Sequence, residues 1–434
     1  MKKILIAFTI LITLLMIICA MQRLNKFSNQ NPNSTDKDFF NSQTTETEQK
    51  SSNNQTPSEL EKIAKEKLSR VKVASLYERI TDGVYFGRTT DDVLKIFKET
   101  NTDLILRGFF RWLSVPESST SVMPGYPTNY SSLSAQKGYT YEQYEQAINK
   151  IKTAKPDTII VGAIAAQRLN KIDFNDITYE SAQTWEMALD AKKFNFDISK
   201  EALQNKASQY LGWSDNSPAY FPDITNNEYQ KILLSWAEKQ INIGVDAIWI
   251  DMLYAQASLM KEYTGNPNHP AVKASYEASS KIIDDIHEYG LSKGKYILVG
   301  TWYNFSELPY PFPDIDFVTV SPKSEEITNG LDDERWNNIK NTIKNIPIIA
   351  FIDWSGSINS PMGTFSQSST EKQNEFLKSA HDFFATKGIL FAYPIHGGTW
   401  PNNKEYKLSF GKYGTYDSLA PEFQTYSIIK ELTK

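Results

Sequence analysis

Short apolar runs rich in β-branched residues alternate with amphipathic stretches along most of this 434-residue chain. The amphipathic stretches repeat apolar residues at helical spacing, and the runs between them have the length of strands. A strand followed by a helix, repeated many times, is typical of a parallel sheet covered by helices. The sequence therefore predicts an α/β fold, a (β/α)8 TIM barrel with loop insertions. The eight predicted strands cover residues 83–87, 104–108, 158–164, 246–251, 296–302, 316–321, 347–353 and 389–396.

The alternative to a barrel is an open, doubly wound sheet. A nucleotide-binding sheet of that kind places a Gly-rich phosphate turn directly after its first strand, and none is seen there. A long insertion, extending to about Pro222, follows the third predicted strand. We therefore keep the closed barrel as the prediction and the open sheet as the runner-up.

The first 26 residues predict export. Lys2 and Lys3 precede an apolar run from Ile4 to Met21, which is the pattern of a signal peptide. The run is also nearly long enough to cross a bilayer, so an uncleaved membrane anchor is an equal alternative. A third alternative is a lipoprotein acylated at Cys19, although the residues before Cys19 are larger than those of the usual lipoprotein site. We expect the protein at the cell surface, membrane-anchored or secreted.

Two further segments precede the predicted barrel. Residues 27–58 are rich in Asn, Ser, Thr and Gln and have almost no apolar spacing, which predicts a disordered polar linker. Residues 59–80 repeat apolar side chains close to helical spacing, with Thr56-Pro57-Ser58 as a cap region, and predict an N-terminal helix packed on the barrel. The barrel domain is then expected over residues 81–434.

The composition argues against several classes of function. The net charge is −5 and no block of Lys and Arg could follow a phosphate backbone, so nucleic acid is an unexpected partner. The only cysteine lies in the N-terminal apolar run, which leaves the barrel without a thiolate ligand or nucleophile. The four histidines have no metal-ligand spacing, and there is no Gly-x-Ser-x-Gly motif. We expect neither a metal nor a cofactor.

Carboxylates at strand ends are the candidates for catalysis, because loops at the carboxyl ends of barrel strands build the active site. Asp251 ends an apolar strand and Asp353 ends another, while Glu325 lies in the loop after strand six. Cleavage of a glycosidic bond uses two carboxyl groups, one as proton donor and one as nucleophile or base. A structural alternative for Asp251 is a turn cap or an ion pair with an arginine such as Arg107. Asp314 and Asp316 start a strand and are expected at the opposite, stabilising face.

Other polar and aromatic residues near the strand ends are candidates for substrate binding. Arginines could clamp an anionic sugar or keep the carboxylates ionised, and an ion pair with a nearby aspartate is an equal alternative. Tryptophan and tyrosine rings could stack on a sugar ring, and a histidine could bind a hydroxyl. The candidates are Arg107, Arg111, Trp112, Gln167, Trp302, Tyr303, Trp354 and His396.

The region before Asp251 resembles α-glycoside-cleaving barrels. The segment 222–227 leads through Trp236 and Ala237 to residues 244–251, and it is similar to the α-galactosidase-type and endo-α-1,4-polygalactosaminidase-type families. The resemblance implies hydrolysis of α-linked sugars, with Asp251 at the position of the strand-four carboxylate, usually the nucleophile. Ala247 stands where many relatives have Gly, and no carboxylate directly ends strand six, where α-galactosidase-type barrels place their acid/base.

Two hypotheses follow for the function. The first is a cell-surface glycoside hydrolase that cleaves a poly- or oligosaccharide with a pair of carboxylates. The second is a non-catalytic carbohydrate-binding or envelope-associated barrel in which Asp251 is structural. Both expect a carbohydrate partner and a membrane association through the N-terminal segment, and a fold alone does not choose between them.

Overall fold

Eight parallel strands form a closed barrel in the computed structural model, which describes residues 55–81, 87–180, 184–212, 219–353, 359–399, 415–421 and 423–434. The strands pair in chain order, and the first also pairs with the eighth, so the sheet closes on itself. The prediction of a (β/α)8 barrel is confirmed, and the open sheet is excluded by this closing pair. The strands are β1 Ala74–Tyr77, β2 Leu104–Arg111, β3 Ile159–Ala165, β4 Ala247–Asp251, β5 Leu298–Trp302, β6 Phe317–Val320, β7 Ile348–Ala350 and β8 Leu390–Thr399.

Helices surround the barrel, and side-chain caps fix where many of them begin. Thr89, for example, accepts a hydrogen bond from the backbone N–H of Asp92, and Asn226 caps the helix that precedes β4. The helices are α1 Pro57–Ser69, α2 Thr90–Glu99, α3 Tyr130–Gln136, α4 Tyr141–Ala154, α5 Lys200–Tyr210, α6 Asn227–Asn242, α7 Ala255–Thr264, α8 Pro270–Ser292, α9 Ser324–Asn329, α10 Asp333–Ile343, α11 Pro361–Gln367, α12 Thr370–Lys387 and α13 Tyr426–Leu432.

Short strands and 3-10 helices lie in the loops between the larger elements. Within the long insertion after β3, residues Leu169–Asn170 and Ala219–Tyr220 form a short antiparallel pair. A ninth strand, β9 Thr415–Asp417, runs antiparallel to β8 beyond the barrel wall. Short 3-10 helices cover Thr184–Met187, Ala191–Phe194 and Tyr303–Glu307. The insertion after β3 therefore contains secondary structure of its own, and it follows the carboxyl-terminal end of that strand.

The start of the barrel differs from the prediction. The N-terminal helix expected over 59–80 ends at Ser69, and residues 74–77 are strand β1 instead. All four residues of β1 are buried and pair with β8, and residues 74–76 also pair with β2, a tertiary constraint that outweighs their helical spacing. The helix begins two residues earlier than expected, at Pro57, where Thr56 and Glu59 form a capping box. Of the strand predicted at 83–87, residues 83–86 lie outside the described residues.

The predictions for the first 54 residues also lie outside the described part of the chain. They include the signal or anchor at 1–26 and most of the linker at 27–58. Within the described ranges, no helix combines the length and the apolar character needed to span a membrane.

The barrel interior is filled by large side chains from several strands. Trp249, Phe317 and Phe351 belong to one buried cluster inside the sheet, and a second cluster lies between the sheet and the helices. Gly300 makes room for Phe317, because a Cβ at position 300 would lie 2.1 Å from the Phe317 ring. The interior is therefore a packed core that leaves only the two barrel ends for binding.

Helix α1 covers the amino-terminal end of the barrel. Leu68 is part of the interior cluster, and Leu60 and Ala64 pack against it. Lys65 on the same helix lies 3.3 Å from a carboxylate oxygen of Asp316, which is buried at the start of β6. Asp316 also accepts hydrogen bonds from the Val299 N–H at 2.8 Å and from the Tyr296 hydroxyl at 3.1 Å. The face expected for Asp316 from the sequence is confirmed, and its contacts are those of a structural residue.

Candidate active site

Three strands deliver a carboxylate to the carboxyl-terminal end of the barrel. On β1, β4 and β7, alternate side chains belong to the interior cluster, and the next position on that face is acidic in each case. The three residues are Glu78, Asp251 and Asp353. Asp251 and Asp353 are the carboxylates that the sequence singled out, and Glu78 was missed because the first strand was placed too late in the chain.

A backbone irregularity brings Arg107 into the same space. The register of β2 against β3 shifts between Ile105 and Phe109, and Arg107 within this bulge has a φ of 59°. Its guanidinium lies 4.3 Å from the centre of the Phe110 ring and 5.1 Å from that of Trp249, both at the barrel interior. Bulges and positive φ values at non-glycine residues are concentrated at functional sites, where they redirect side chains.

Arg107 lies between two of the carboxylates. Its Nη2 is 2.6 Å from Oε1 of Glu78, and its Nη1 is 4.0 Å from Oδ1 of Asp353. The arginine is 6% exposed, whereas the Glu78 and Asp353 side chains are 16% and 27% exposed. The guanidinium therefore keeps a buried position while both acidic groups retain access to the mouth of the barrel.

Asp251 is held by two N–H donors. The Nε2 of Gln167, just after β3, donates to Oδ2 at 2.9 Å, and the Nε1 of Trp302, at the end of β5, donates to Oδ1 at 2.8 Å. Burial raises the pKa of the Asp251 carboxyl, and the Arg107 charge and the two donors oppose that rise only in part. A carboxyl that keeps its proton to higher pH, in a fixed orientation, is suited to donate that proton in a reaction.

Strained turns follow two of the carboxylates. Arg79, directly after Glu78, has a φ of 65°, and Met252, directly after Asp251, has a φ of 52°. Non-glycine residues rarely adopt this left-handed conformation. A residue in this conformation therefore follows each acidic residue directly, where β1 and β4 end.

Aromatic rings form part of the surrounding wall. Trp302 stacks on Phe351 with ring centres 5.1 Å apart and lies 5.5 Å from Trp249. Trp112, after β2, is half-buried under the guanidinium of Arg168 at 5.0 Å. Both rings are placed at strand ends, where a sugar ring could stack. Trp354, the fourth aromatic candidate, lies outside the described residues.

Arg111 belongs to a different environment from Arg107. It is 1% exposed and lies 2.7 Å from Asp173 and 2.8 Å from Asp176, with its guanidinium 3.8 Å from the centre of the Trp236 ring. This is the ion-pair alternative that the sequence left open. The contacts place Arg111 between the barrel wall and helix α6 rather than beside the three carboxylates.

Three other candidates have their own local partners. His396 is 3% exposed, with Nδ1 3.3 Å from Asp417 and its ring 5.0 Å from that of Tyr77. Tyr303 lines a surface cavity of about 460 Å³ together with Arg335 and residues of α10. Glu325 is exposed on the short helix α9, and its neighbour Glu326 is the buried member of that pair, 2.6 Å from Arg335. None of these contacts is with Asp251 or Arg107.

Comparison with known proteins gives similarity at the level of the fold. No protein-family model matches this chain, and a search of curated proteins finds no match. Among solved structures, the chain is similar to the glycoside hydrolase domain of PelA from Pseudomonas aeruginosa, with 9% identity and a TM-score of 0.39 over 74% of this chain and 94% of that one. It is also similar to Eubacterium rectale Amy13B, with 11% identity and a TM-score of 0.44 over 84% of this chain and 77% of the other.

A third solved structure is Aspergillus fumigatus Ega3 in complex with galactosamine, with 8% identity and a TM-score of 0.29 over 52% of this chain and 76% of that one. Identities this low do not allow any residue role to be transferred. The barrel is assigned from its own strand pairing, and the site from its own contacts.

Proposed function

We propose that the carboxyl-terminal end of the barrel is a glycoside hydrolase site that cleaves a glycosidic bond in a poly- or oligosaccharide. The observation that carries the proposal is the partly buried Asp251 carboxyl, oriented by Gln167 and Trp302 beside an arginine that contacts further carboxylates. Barrel enzymes place their catalytic groups at this end. The resemblance in the sequence before Asp251 points to α-linked sugars as the substrate class.

The chemistry requires two carboxyl groups in opposite protonation states. One must donate a proton to the leaving oxygen, and the other must be ionised to assist the attack on the anomeric carbon. Burial favours the protonated form of Asp251, and the Arg107 charge opposes this effect only in part. We therefore assign Asp251 as the proton donor, although the resemblance alone implies a nucleophile at this position.

The charges of the site also bear on the substrate. Arg107 is engaged by Glu78 at 2.6 Å, with Asp353 at 4.0 Å, so its charge is already balanced within the protein. An anionic sugar beside Arg107 would therefore meet the carboxylates of Glu78 and Asp353. We propose a sugar ring without negative charge, stacked on the rings of Trp302 or Trp112.

The test is the substitution Asp251→Asn with turnover and binding measured separately. Release of reducing ends from a panel of α- and β-linked polysaccharides should fall by about 10²–10⁴-fold, because the amide cannot donate a catalytic proton. Binding of the same polysaccharide should be nearly unchanged, since the side chain keeps its size. Asp333→Asn, on the exposed start of α10, is the matched control and should keep full turnover.

Undiminished hydrolysis by Asp251→Asn would refute the proposed role. If the wild type binds a glycan but releases no reducing ends, the non-catalytic carbohydrate-binding barrel becomes the better description. The contact of Arg107 with Glu78 is compatible with that alternative, because a buried ion pair can be purely structural.

We propose further that the barrel acts outside the cytoplasmic membrane, at the cell surface. The support is the N-terminal sequence, in which two lysines precede the apolar run from Ile4 to Met21. In intact cells, a tag fused after Lys434 should be digested by added protease. A tag that is cleaved only after cell lysis would contradict this location.

A further inference from the structure

We propose that Glu78, at the end of β1, is the second catalytic carboxylate of this site and the ionised partner of Asp251. The inference rests on the proposed hydrolase function and adds a residue and a role to it. Neither the strand-end pattern read from the sequence nor the resemblance to known barrels assigns this position.

The backbone of β1 points Glu78 toward the reacting space. Ala74 and Leu76 lie in the interior cluster, so Glu78 is the next residue on the inward face. Its backbone N–H donates to the carbonyl of His396 at 2.9 Å, which continues the pairing with β8 up to this residue. The left-handed turn at Arg79 follows directly. Glu78 is therefore fixed on a strand at the barrel mouth.

Arg107 distinguishes Glu78 from Asp353. The guanidinium is 2.6 Å from Glu78 but 4.0 Å from Asp353, a distance beyond direct hydrogen bonding. The contact at the shorter distance places a positive charge directly against the Glu78 carboxylate. Arg107, which the bulge turns inward, therefore makes its closer contact with Glu78.

Glu78 is also electrostatically coupled to Asp251. The negative charge of Glu78 contributes to raising the pKa of the Asp251 carboxyl, in addition to the larger effect of burial. A carboxyl group with a raised pKa beside a second carboxylate is an arrangement suited to acid and base roles. The 16% exposure of the Glu78 side chain leaves it accessible to a water molecule or a sugar.

The proposed step balances as a hydrolysis. Asp251 transfers its proton to the leaving glycosidic oxygen as the bond from that oxygen to the anomeric carbon breaks. Glu78 accepts a proton from the water molecule whose oxygen forms the new bond to the anomeric carbon. The products are two free hydroxyl groups, and the proton on Glu78 returns to Asp251 through solvent.

Glycosyl fluorides separate the two roles, because fluoride leaves with little need for a proton donor. The probes are the α and β anomers of D-glucosyl and D-galactosyl fluoride, with fluoride release measured by an ion-selective electrode. Glu78→Gln should lower the rate on any fluoride that the wild type hydrolyses by about 10²–10⁴-fold. Asp251→Asn should lose far less on the same fluoride than on a polysaccharide.

The controls address stability and the rival carboxylate. Glu326→Gln removes a different buried glutamate that lies 2.6 Å from an arginine, and it should keep fluoride release. Because Glu78→Gln leaves Arg107 without its near partner, the double variant Glu78→Gln/Arg107→Met removes both charges and should fold yet remain inactive. Fluoride release within tenfold of wild type by Glu78→Gln, or a loss seen with Asp353→Asn instead, would overturn the assignment.

If the wild type hydrolyses none of the four fluorides, the pairing of Glu78 with Asp251 can be tested by a measurement that needs no substrate. The absence of hydrolysis would count against the proposed function for these sugars. The coupling can still be tested by ¹³C NMR titration of labelled aspartate carboxyls, with Asp251 identified by the signal lost in Asp251→Asn. In Glu78→Gln the Asp251 pKa should fall, since a negative neighbour is gone and Arg107 is released. An unchanged pKa would refute the pairing.

Discussion

Asp251 shows how one side chain can be unfavourable for stability and useful for function. Its carboxyl is partly buried, and desolvation raises its pKa above the ordinary value despite Arg107 and the two N–H donors. The folded protein therefore binds this proton more tightly than the unfolded chain does. As pH rises, ionisation of Asp251 favours the unfolded chain, and stability falls until the pH exceeds the folded-state pKa.

The substitution Asp251→Asn is therefore expected to stabilise the protein at neutral pH. The amide does not ionise, and a flip of the Gln167 amide would let its buried, unbonded Oε1 accept a hydrogen bond from the new Asn N–H. The gain should shrink as pH falls through the folded-state pKa and be lost below about 4, where the aspartate becomes protonated in the unfolded chain as well. Urea unfolding at several pH values measures this difference. A destabilised variant would instead identify Asp251 as a structural residue.

The two arginines of β2 lie in different environments, and the sequence did not predict this difference. Strict strand alternation places Arg107 and Arg111, four residues apart, on the same side of the sheet. The bulge between Ile105 and Phe109 breaks that alternation, so that Arg107 enters the barrel and Arg111 faces Asp173 and Asp176 outside it. Gly108 within this segment is a residue type that suggests a bulge, but it does not show which of the two arginines turns into the barrel. The sequence could name both arginines but could not separate their roles.

At the level of elements, the seven strands that contain runs of β-branched residues were predictable, and β1, Ala74–Tyr77, was not. Seven predicted strands coincide with β2 to β8 because each contains a run of buried residues that no helix period fits. Strand β1 has only four residues, and its identity depends on pairing with β2 and β8. Because β1 was not predicted, Glu78 was not recognised as a carboxylate at the end of a strand.

Helix α1 is expected to be part of the cooperative fold rather than an appendage. Leu68 is 3% exposed within the barrel's interior cluster, so Leu68→Ala should lower the free energy of unfolding by about 2–5 kcal/mol. The matched control is Leu133→Ala on α3, where the side chain is 45% exposed and the change should be within about 0.5 kcal/mol. Equal effects in urea unfolding would show that α1 does not close the barrel.

At the level of the whole molecule, the two ends of the barrel carry different kinds of residues. The carboxyl-terminal end gathers Glu78, Arg107, Asp251 and Asp353, with strained backbone and a partly buried acid. The amino-terminal end is covered by α1 and joined by contacts around Asp316. In barrels of this architecture the first end carries chemistry and the second carries stability. Substitutions of aspartates at the two ends should therefore have opposite effects.

Asp316→Asn tests this separation against Asp251→Asn. The Asp316 carboxylate accepts hydrogen bonds from Val299 and Tyr296 and faces Lys65 at 3.3 Å and His287 at 3.0 Å, so the amide loses an acceptor and an ion pair. We expect a loss of about 3 kcal/mol in urea unfolding, with turnover of folded protein unchanged. Asp251→Asn should show the reverse, turnover lowered by about 10²–10⁴-fold with a gain in stability. If Asp316→Asn lost turnover while still folded, the two ends would be coupled, and the carboxylates at the barrel mouth could not be treated as an independent site.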